Sequence, residues 1–437
     1  MEFMRCLKRN FVTATHLFKG CVGAGLYAMG DCYKNGGLVY ASIQMPIIAV
    51  LCVHCELMLI YGSLDAVRQT EGATILEYPD TTQKCFEYAP GCFKRIARTM
   101  RVLKTYKIDY GQPLTMLMCI PFVMIPSLFT GLNHIAPVSN LGNFFLMFGV
   151  AATLTVAYLG GMPSTEGLSL ITNPPDMALS FGTSLFSYEG IALVLPLRNA
   201  MKDPNDFNRP FGILNVITAI ITAIFIFTGV SSYIKWGEEV QGSITLNLDG
   251  TVPFNQAVKL IAALGVFLGY PIQFFIMIKI ILPSMLQSCG HRHPLLAEVC
   301  LLCAALLVPN LELFISLIGA LCSTTLAFVI PVLIDFAVKA QTPGKLTWYL
   351  FVKNIIILMI ASFGIGLGTV KSMEQLVEAF KEDYLSFSLL LSNKILYKTY
   401  VTAKKIDLIK GYKYKSHGNS SQHNPKQTQN HRTKHKV

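Results

Sequence analysis

Apolar residues run along this chain in blocks of about 20, the length a helix needs to cross a bilayer, separated by shorter polar or basic segments. That pattern predicts ten spans, near 12–33, 38–61, 113–132, 142–160, 178–198, 212–234, 255–284, 294–309, 312–338 and 347–370. The fold class is therefore an all-α, polytopic membrane protein. No tandem repeat of solenoid length is visible. One span departs from a plain anchor. Thr15 to Gly37 carries Gly20, Gly23 and Gly25 within six residues. Each glycine weakens a helix by about 1 kcal/mol relative to alanine and lets the backbone leave helical geometry. Two outcomes fit: unwound backbone lining a cavity, as in the broken helices of secondary transporters, or close packing of small residues against a neighbouring helix.

Composition removes the soluble alternatives. Charged residues make up 14% of the chain and hydrophobic ones 52%, against about 25% charged in a soluble domain. The net charge of +11 raises the idea of a nucleic-acid partner, but its distribution argues against one: most of the excess lies in a polar tail after about residue 390. The sequence divides into a short cytoplasmic N-terminus (1–11), a transmembrane domain (12–375) and a basic, largely disordered tail (376–437) that meets lipid headgroups at most. The basic N-terminal decapeptide leads into an apolar run without a clear cleavage site, which predicts a retained first span.

Sidedness follows from the basic loops. Residues 62–111 and 199–211 are both rich in Lys and Arg, and both read as cytoplasmic. Three predicted crossings separate them, whereas two loops on one side require an even number. The cysteines add no chemistry. Cys52 and Cys55, like Cys300 and Cys303, have metal-site spacing but sit inside apolar runs, where they read as small buried hydrophobes.

Polar side chains inside spans are costly, so each is a candidate for function. Glu189 lies between Gly182 and Pro196, beside Gly190, and marks a second candidate break. His54 lies deep in the second span and is the one side-chain type whose ordinary pKa falls near physiological pH. Glu56, two residues on, faces another way. Tyr270, Gln273, Ser323, Thr324 and Thr325 read first as packing, while their polar groups could also bond across helices or touch a substrate. His16 and Lys19 lie toward the basic end of the first span, where a lysine can snorkel to the headgroups. No Walker, HExxH or GxSxG signature is present, so an enzyme is not expected, and transport would run on an ion gradient or downhill.

Several motifs, in order, resemble one family, the proton-coupled amino-acid transporters of the amino acid/auxin permease superfamily. They are HLFKGCVGAGL, CVHCELML, FGTSLFSYEGIALVLPLRNAMKDP, GSITLNL (Gly242 to Leu248) with VKLIAALGVFLGYPIQF, and ISLIGALCSTTLAFVIP. The likeness runs from about residue 12 to 375. It implies a LeuT-like bundle of eleven spans whose first and sixth are broken around the substrate, importing small neutral amino acids with protons. On this chain the unwound motifs fall on Gly20, Cys21, Val22, Gly23, Ala24 and Gly25, and on Phe186, Ser187, Glu189 and Gly190. The proton-coupling histidine falls on His54. The proton is the coupling ion and no other cofactor is implied. The implied membrane is the plasma membrane or a lysosomal or endosomal one.

Three departures stand out. Cys21 and Arg198 replace the family's usual Asn and Glu. The third span has no counterpart, since RVLKTY passes directly into KIDYGQPLTMLMCIPF, and its loss accounts for the odd number of crossings. A non-transporting amino-acid sensor and an inactive short form remain open alternatives.

Overall fold

The computed structural model describes residues 11–69, 75–76, 78–88, 132–161, 167–269, 311–341 and 347–378. The expected spans at 113–132 (save its last residue) and 294–309, the second half of 255–284, Tyr270, Gln273, Cys300, Cys303, the junction at 104–112 and nearly all of the tail lie outside the described residues. The chain separates into two compact units, Met1–Gln375 and Leu376–Val437, and the helical bundle belongs to the first.

Among the described residues all regular structure is helical. The first span is three pieces, α1 (Phe11–Cys21), α2 (Ala24–Tyr27) and α3 (Met29–Gly36). Gly37, at φ 82, then turns the chain into α4 (Leu38–Gln69), a conformation that disfavours any L side chain. The polar segment after it holds α5 (Tyr78–Tyr88). Next come α6 (Leu132–Leu159), α7 (Pro174–Ser187), α8 (Ile191–Asn199), the short α9 (Asn205–Asn208), α10 (Ile213–Trp236) and α11 (Pro253–Phe267). The last two long helices each contain π-helical turns. One is α12 (Leu311–Ile318), continuing through Gly319–Ser323 and Thr325–Val329 into α13 (Ile330–Ala340); the other is α14 (Trp348–Phe363), continuing through Gly364–Gly368.

Six of these helices, some counted across a break, are long and apolar enough to cross a membrane: Leu38–Gln69, Asn140–Leu159, Pro174–Asn199, Ile213–Glu239, Ile315–Ala340 and Trp348–Glu378. Their outer faces expose Val50, Phe227 and Met359, while Tyr33, Phe225 and Tyr233 are buried between helices. Lipid tails are as apolar as these side chains, so close packing and interhelical hydrogen bonds must hold the bundle instead. Local signals fix the helix starts. Asn173 caps α7 by accepting from the Asp176 N–H at 3.0 Å, and Pro174 and Pro175 occupy the first turn, where no N–H is needed.

The helix ends define two faces of the bundle. Gln69 Nε2 donates to Gln341 Oε1 at 2.7 Å, and Asn199 Nδ2 reaches the Leu76 carbonyl at 3.4 Å. The loops that follow α4 and α8 therefore share a side, as their charge predicted. On the opposite side Lys34 donates to the Val240 carbonyl at 3.2 Å and Lys235 to the Gly161 carbonyl at 3.0 Å. One expectation is corrected. Lys19 does not snorkel: it is 1% exposed, and its ammonium donates to the Gly265 carbonyl of α11 at 2.9 Å. A buried ammonium keeps its charge only where such acceptors are at hand. The sidedness is testable by labelling in intact vesicles. Arg68→Cys and Lys202→Cys are expected to react with an impermeant thiol reagent from one side and Glu239→Cys from the other; a split between the first two contradicts the fold.

Candidate functional site

The first span and the one that the resemblance makes the sixth, Pro174–Asn199, are both interrupted, and the residues flanking the two interruptions meet. In the first, helical structure stops at Cys21, Val22 and Gly23 lie outside any helix, and a further joint falls at Ala28. In the sixth it stops at Ser187 and resumes at Ile191. Both gaps are narrower than the motifs expected from sequence. Gly20 and Cys21 remain in the last turn of α1, Ala24 and Gly25 form the start of α2, and Phe186 and Ser187 close α7. Only Val22 and Gly23 on one side, and Tyr188, Glu189 and Gly190 on the other, leave helical geometry.

The three glycines of the first span divide their work. Gly23 sits in the gap. Gly20 and Gly25 serve close approach: a Cβ on Gly20 would overlap Leu193 of α8, and one on Gly25 would overlap Ser187 of α7. Gly190 gives the same clearance to the sulfur of Cys21. Unwinding and tight packing, set apart as alternatives by the sequence, are thus both present within six residues. Gly182, which helped mark this span in the sequence, has a packing role. It lies inside α7 rather than at the break, and its carbonyl is what a Cβ on Gly319 would strike, so it sets the spacing between α7 and the π-helical turn.

Backbone groups freed by the gaps find local partners in part. The Tyr188, Glu189 and Gly190 amides donate to the carbonyls of Ser184, Phe186 and Tyr188 at 3.1, 3.2 and 2.8 Å. On the other side Leu26 and Ala28 donate to Gly23 and Gly25 at 3.2 and 3.1 Å. Helix ends leave further N–H groups beyond Gly23 and further carbonyls before Tyr188 without intrahelical partners. The side chains of the second gap are pinned outward. Tyr188 bonds Thr222 at 2.9 Å and packs edge-on against Phe225, with ring centres 5.2 Å apart. Glu189 accepts from the Ser323 hydroxyl at 2.7 Å, across to the π-helical turn. π-helical turns of this kind recur at functional positions.

A buried polar network lies beside the gaps. Gln44 Nε2 donates to Ser184 at 2.7 Å and to Ser180 at 3.3 Å, and the Cys32 thiol contacts the same two hydroxyls at 3.2 and 3.3 Å. These bonds tie α3, α4 and α7 together. His54 stands apart from both gaps. Its Nε2 lies 2.9 Å from Lys353 Nζ on α14. Cys52 and Cys55 are buried free thiols, and among the described residues no cluster with metal-holding composition occurs. Lys353, Asn354, Asp335 and Gln44 were not among the residues expected from sequence. Their signal was available, since each is a charged or amide side chain inside an apolar run.

Comparison with known proteins agrees with this architecture. A family model described as Transmembrane amino acid transporter protein matches residues 90–374. The chain belongs to that family. It is an integral, multi-pass membrane protein of an amino-acid transporter family. It is 27% identical over 409 residues to the proton-coupled amino acid transporter-like protein pathetic of Drosophila melanogaster, covering 85% of this chain and 86% of the relative. It is 24% identical over 383 residues to vacuolar amino acid transporter 3 of Schizosaccharomyces pombe, covering 81% of this chain and 56% of that relative. The family match begins after the first two spans, while the fly relative's alignment takes in most of the chain.

The contact between the gaps has a measurable consequence. On Gly25 a Cβ comes within 2.8 Å of Ser187 Cα and Cβ, so Gly25→Val is expected to cost about 1–3 kcal/mol of stability by overpacking. Ser187→Gly in the same chain should recover part of that loss in a thermal melt in detergent. Strictly additive effects of the two changes contradict the contact.

Proposed function

We propose that this chain is a secondary active transporter that moves small neutral amino acids together with protons by alternating access. The observation that carries the proposal is the close approach of two interrupted helices at their gaps, with Cys21 against Gly190 and Gly25 against Ser187. A zwitterion presents a carboxylate and an ammonium a short distance apart. The Val22 amide already donates to the Phe18 carbonyl at 2.7 Å, so the N–H groups at Gly23 to Gly25 suit the first, and the carbonyls at the end of α7 near Phe186 and Ser187 suit the second, with Glu189 as an additional acceptor beside Ser323.

The crowding of the gaps supports small substrates. Cys21, Ser187 and Leu193 all stand against a glycine of the opposing element, so a bulky side chain would force the helices far apart. In this arrangement the gaps touch, and substrate enters only when they part. That is the movement alternating access requires. The proton belongs to His54 in this scheme, an ionisable group in the second span with a hydrogen-bonding partner on another helix. The names of the similar proteins, one a proton-coupled amino acid transporter-like protein, are consistent with this reading.

Uptake by purified protein in liposomes tests the proposal. Proline, glycine and alanine are expected to accumulate when the outside is acidified, and His54→Ala should abolish the acid stimulation while the protein remains inserted. Uptake indifferent to pH removes the proton from the scheme. Binding of amino acid without flux replaces the transporter with a sensor.

A further inference from the structure

Between α4, α13 and α14 lies a cluster of ionisable side chains separate from the two gaps. Lys353 Nζ is 2.9 Å from His54 Nε2 and 3.6 Å from the Met58 sulfur. Asp335 on α13 is already engaged twice: it pairs with Lys339 at 2.6 Å and accepts from Asn354 Nδ2 at 2.8 Å. Its carboxylate is thereby occupied, and the contacts of the Lys353 amine go to the imidazole instead.

The remaining titratable groups around the pair can be named. Asp335 and Lys339 from α13 act on both His54 and Lys353, and Cys55 on α4 acts on Lys353. Glu56, two residues along α4, acts on Cys21, Cys52 and Cys55. The only cation in hydrogen-bonding contact with the imidazole, among the described residues, is Lys353.

An amine and an imidazole nitrogen at this separation are joined by one proton. The bond needs one nitrogen with a free lone pair, so it exists only while the two groups hold at most one positive charge between them. A second proton makes both nitrogens N–H donors, removes the bond and leaves two like charges facing each other. Nothing is oxidised or reduced; one proton is gained from the acidic side and returned later.

We propose that Lys353 is a positioning residue for proton coupling: it shares a proton with His54 across the contact of α4 and α14, and so sets the pH at which that contact opens. This rests on the assignment of proton coupling to His54. The consequence reaches the gaps through packing. Helix α4 lies against α3, α7 and α8, the pieces of both broken spans, whereas α14 packs on the π-helical turn Thr325–Val329 and on α13. Breaking the His54–Lys353 bond therefore removes a tie between α4, which touches pieces of both broken spans, and α14, which meets α7 through Phe363 against Phe181.

The test is a titration of ¹⁵N-histidine-labelled protein in lipid nanodiscs, run beside the pH profile of alanine uptake. The His54 signal is assigned by its loss in His54→Gln. In Lys353→Met, with no cation in hydrogen-bonding contact with the imidazole and only the more distant Lys339 remaining, the midpoint of His54 is expected to move to higher pH by about one unit or more. The acid limb of uptake should move with it. Lys353→Arg keeps a fixed cation and a donor, and its midpoint should stay at or below that of the parent chain. An unmoved His54 midpoint in Lys353→Met, or an Arg variant that behaves like the Met variant, overturns the proposal. A parent chain whose uptake ignores pH, while the midpoint still moves between variants, defeats the assignment of coupling to His54 and leaves the shared proton standing.

Discussion

Backbone that leaves the helix inside a bilayer has no water to turn to, and each amide left without a partner costs several kcal/mol. A broken span is therefore stable only where other protein covers the break. Here the cover for each break is the other one. Gly25 against Ser187, Gly20 against Leu193 and Cys21 against Gly190 bring the two segments to contact distance, and the amides of Tyr188 to Gly190 turn back on the end of α7. The rest of the bundle holds those segments together. Gln44 and Cys32 fasten α4 and α3 to α7, Tyr188 is anchored to α10, and Glu189 to the π-helical turn.

That arrangement links stability to function through one geometry. The backbone groups at each gap bond in part within their own segment, and those left over are donors at one gap and acceptors at the other. A ligand with one group of each kind, separated by a single carbon, can meet both. On the proposed alternating-access reading, this makes the open state accessible in its presence and costly in its absence, which is the property a carrier needs. The polar pairs outside the gaps, Lys19 with Gly265 and His54 with Lys353, place charge on the helices that flank the moving parts.

How much of this was legible in the sequence varies by residue. Apolar run length located the long helices, because the bilayer sets their length and little else competes. The glycine cluster marked the region of the first gap, and Glu189 beside Gly190 that of the second, although the same residues also fit close helix packing, and here both uses occur. Their extent was not legible. Gly20 and Gly25 look the same as Gly23 in sequence, and only the neighbours Leu193 and Ser187 separate a packing glycine from an unwound one. Lys19 was misjudged for a similar reason: a lysine near a span end snorkels unless another helix offers it a carbonyl, and that helix lies more than 200 residues away in the chain. Lys353 and Asp335 were visible as charges inside apolar runs, and helical spacing names Lys339 as the partner of Asp335, yet nothing local names His54 or Asn354.

Transport by this route requires the two gaps to part during the working cycle, and Cys21 reports on that directly. Its thiol lies buried at 9% exposure between them. The decisive measurement is site-resolved mass spectrometry of thiol alkylation in liposomes under an acid gradient, with the fully buried Cys55 as internal control. Cys21 is expected to react during the cycle with a small thiol reagent and to be protected by excess alanine or glycine, while Cys55 stays unmodified. A Cys21 that never reacts, or reacts equally with and without the amino acid, contradicts a solute passing between the gaps.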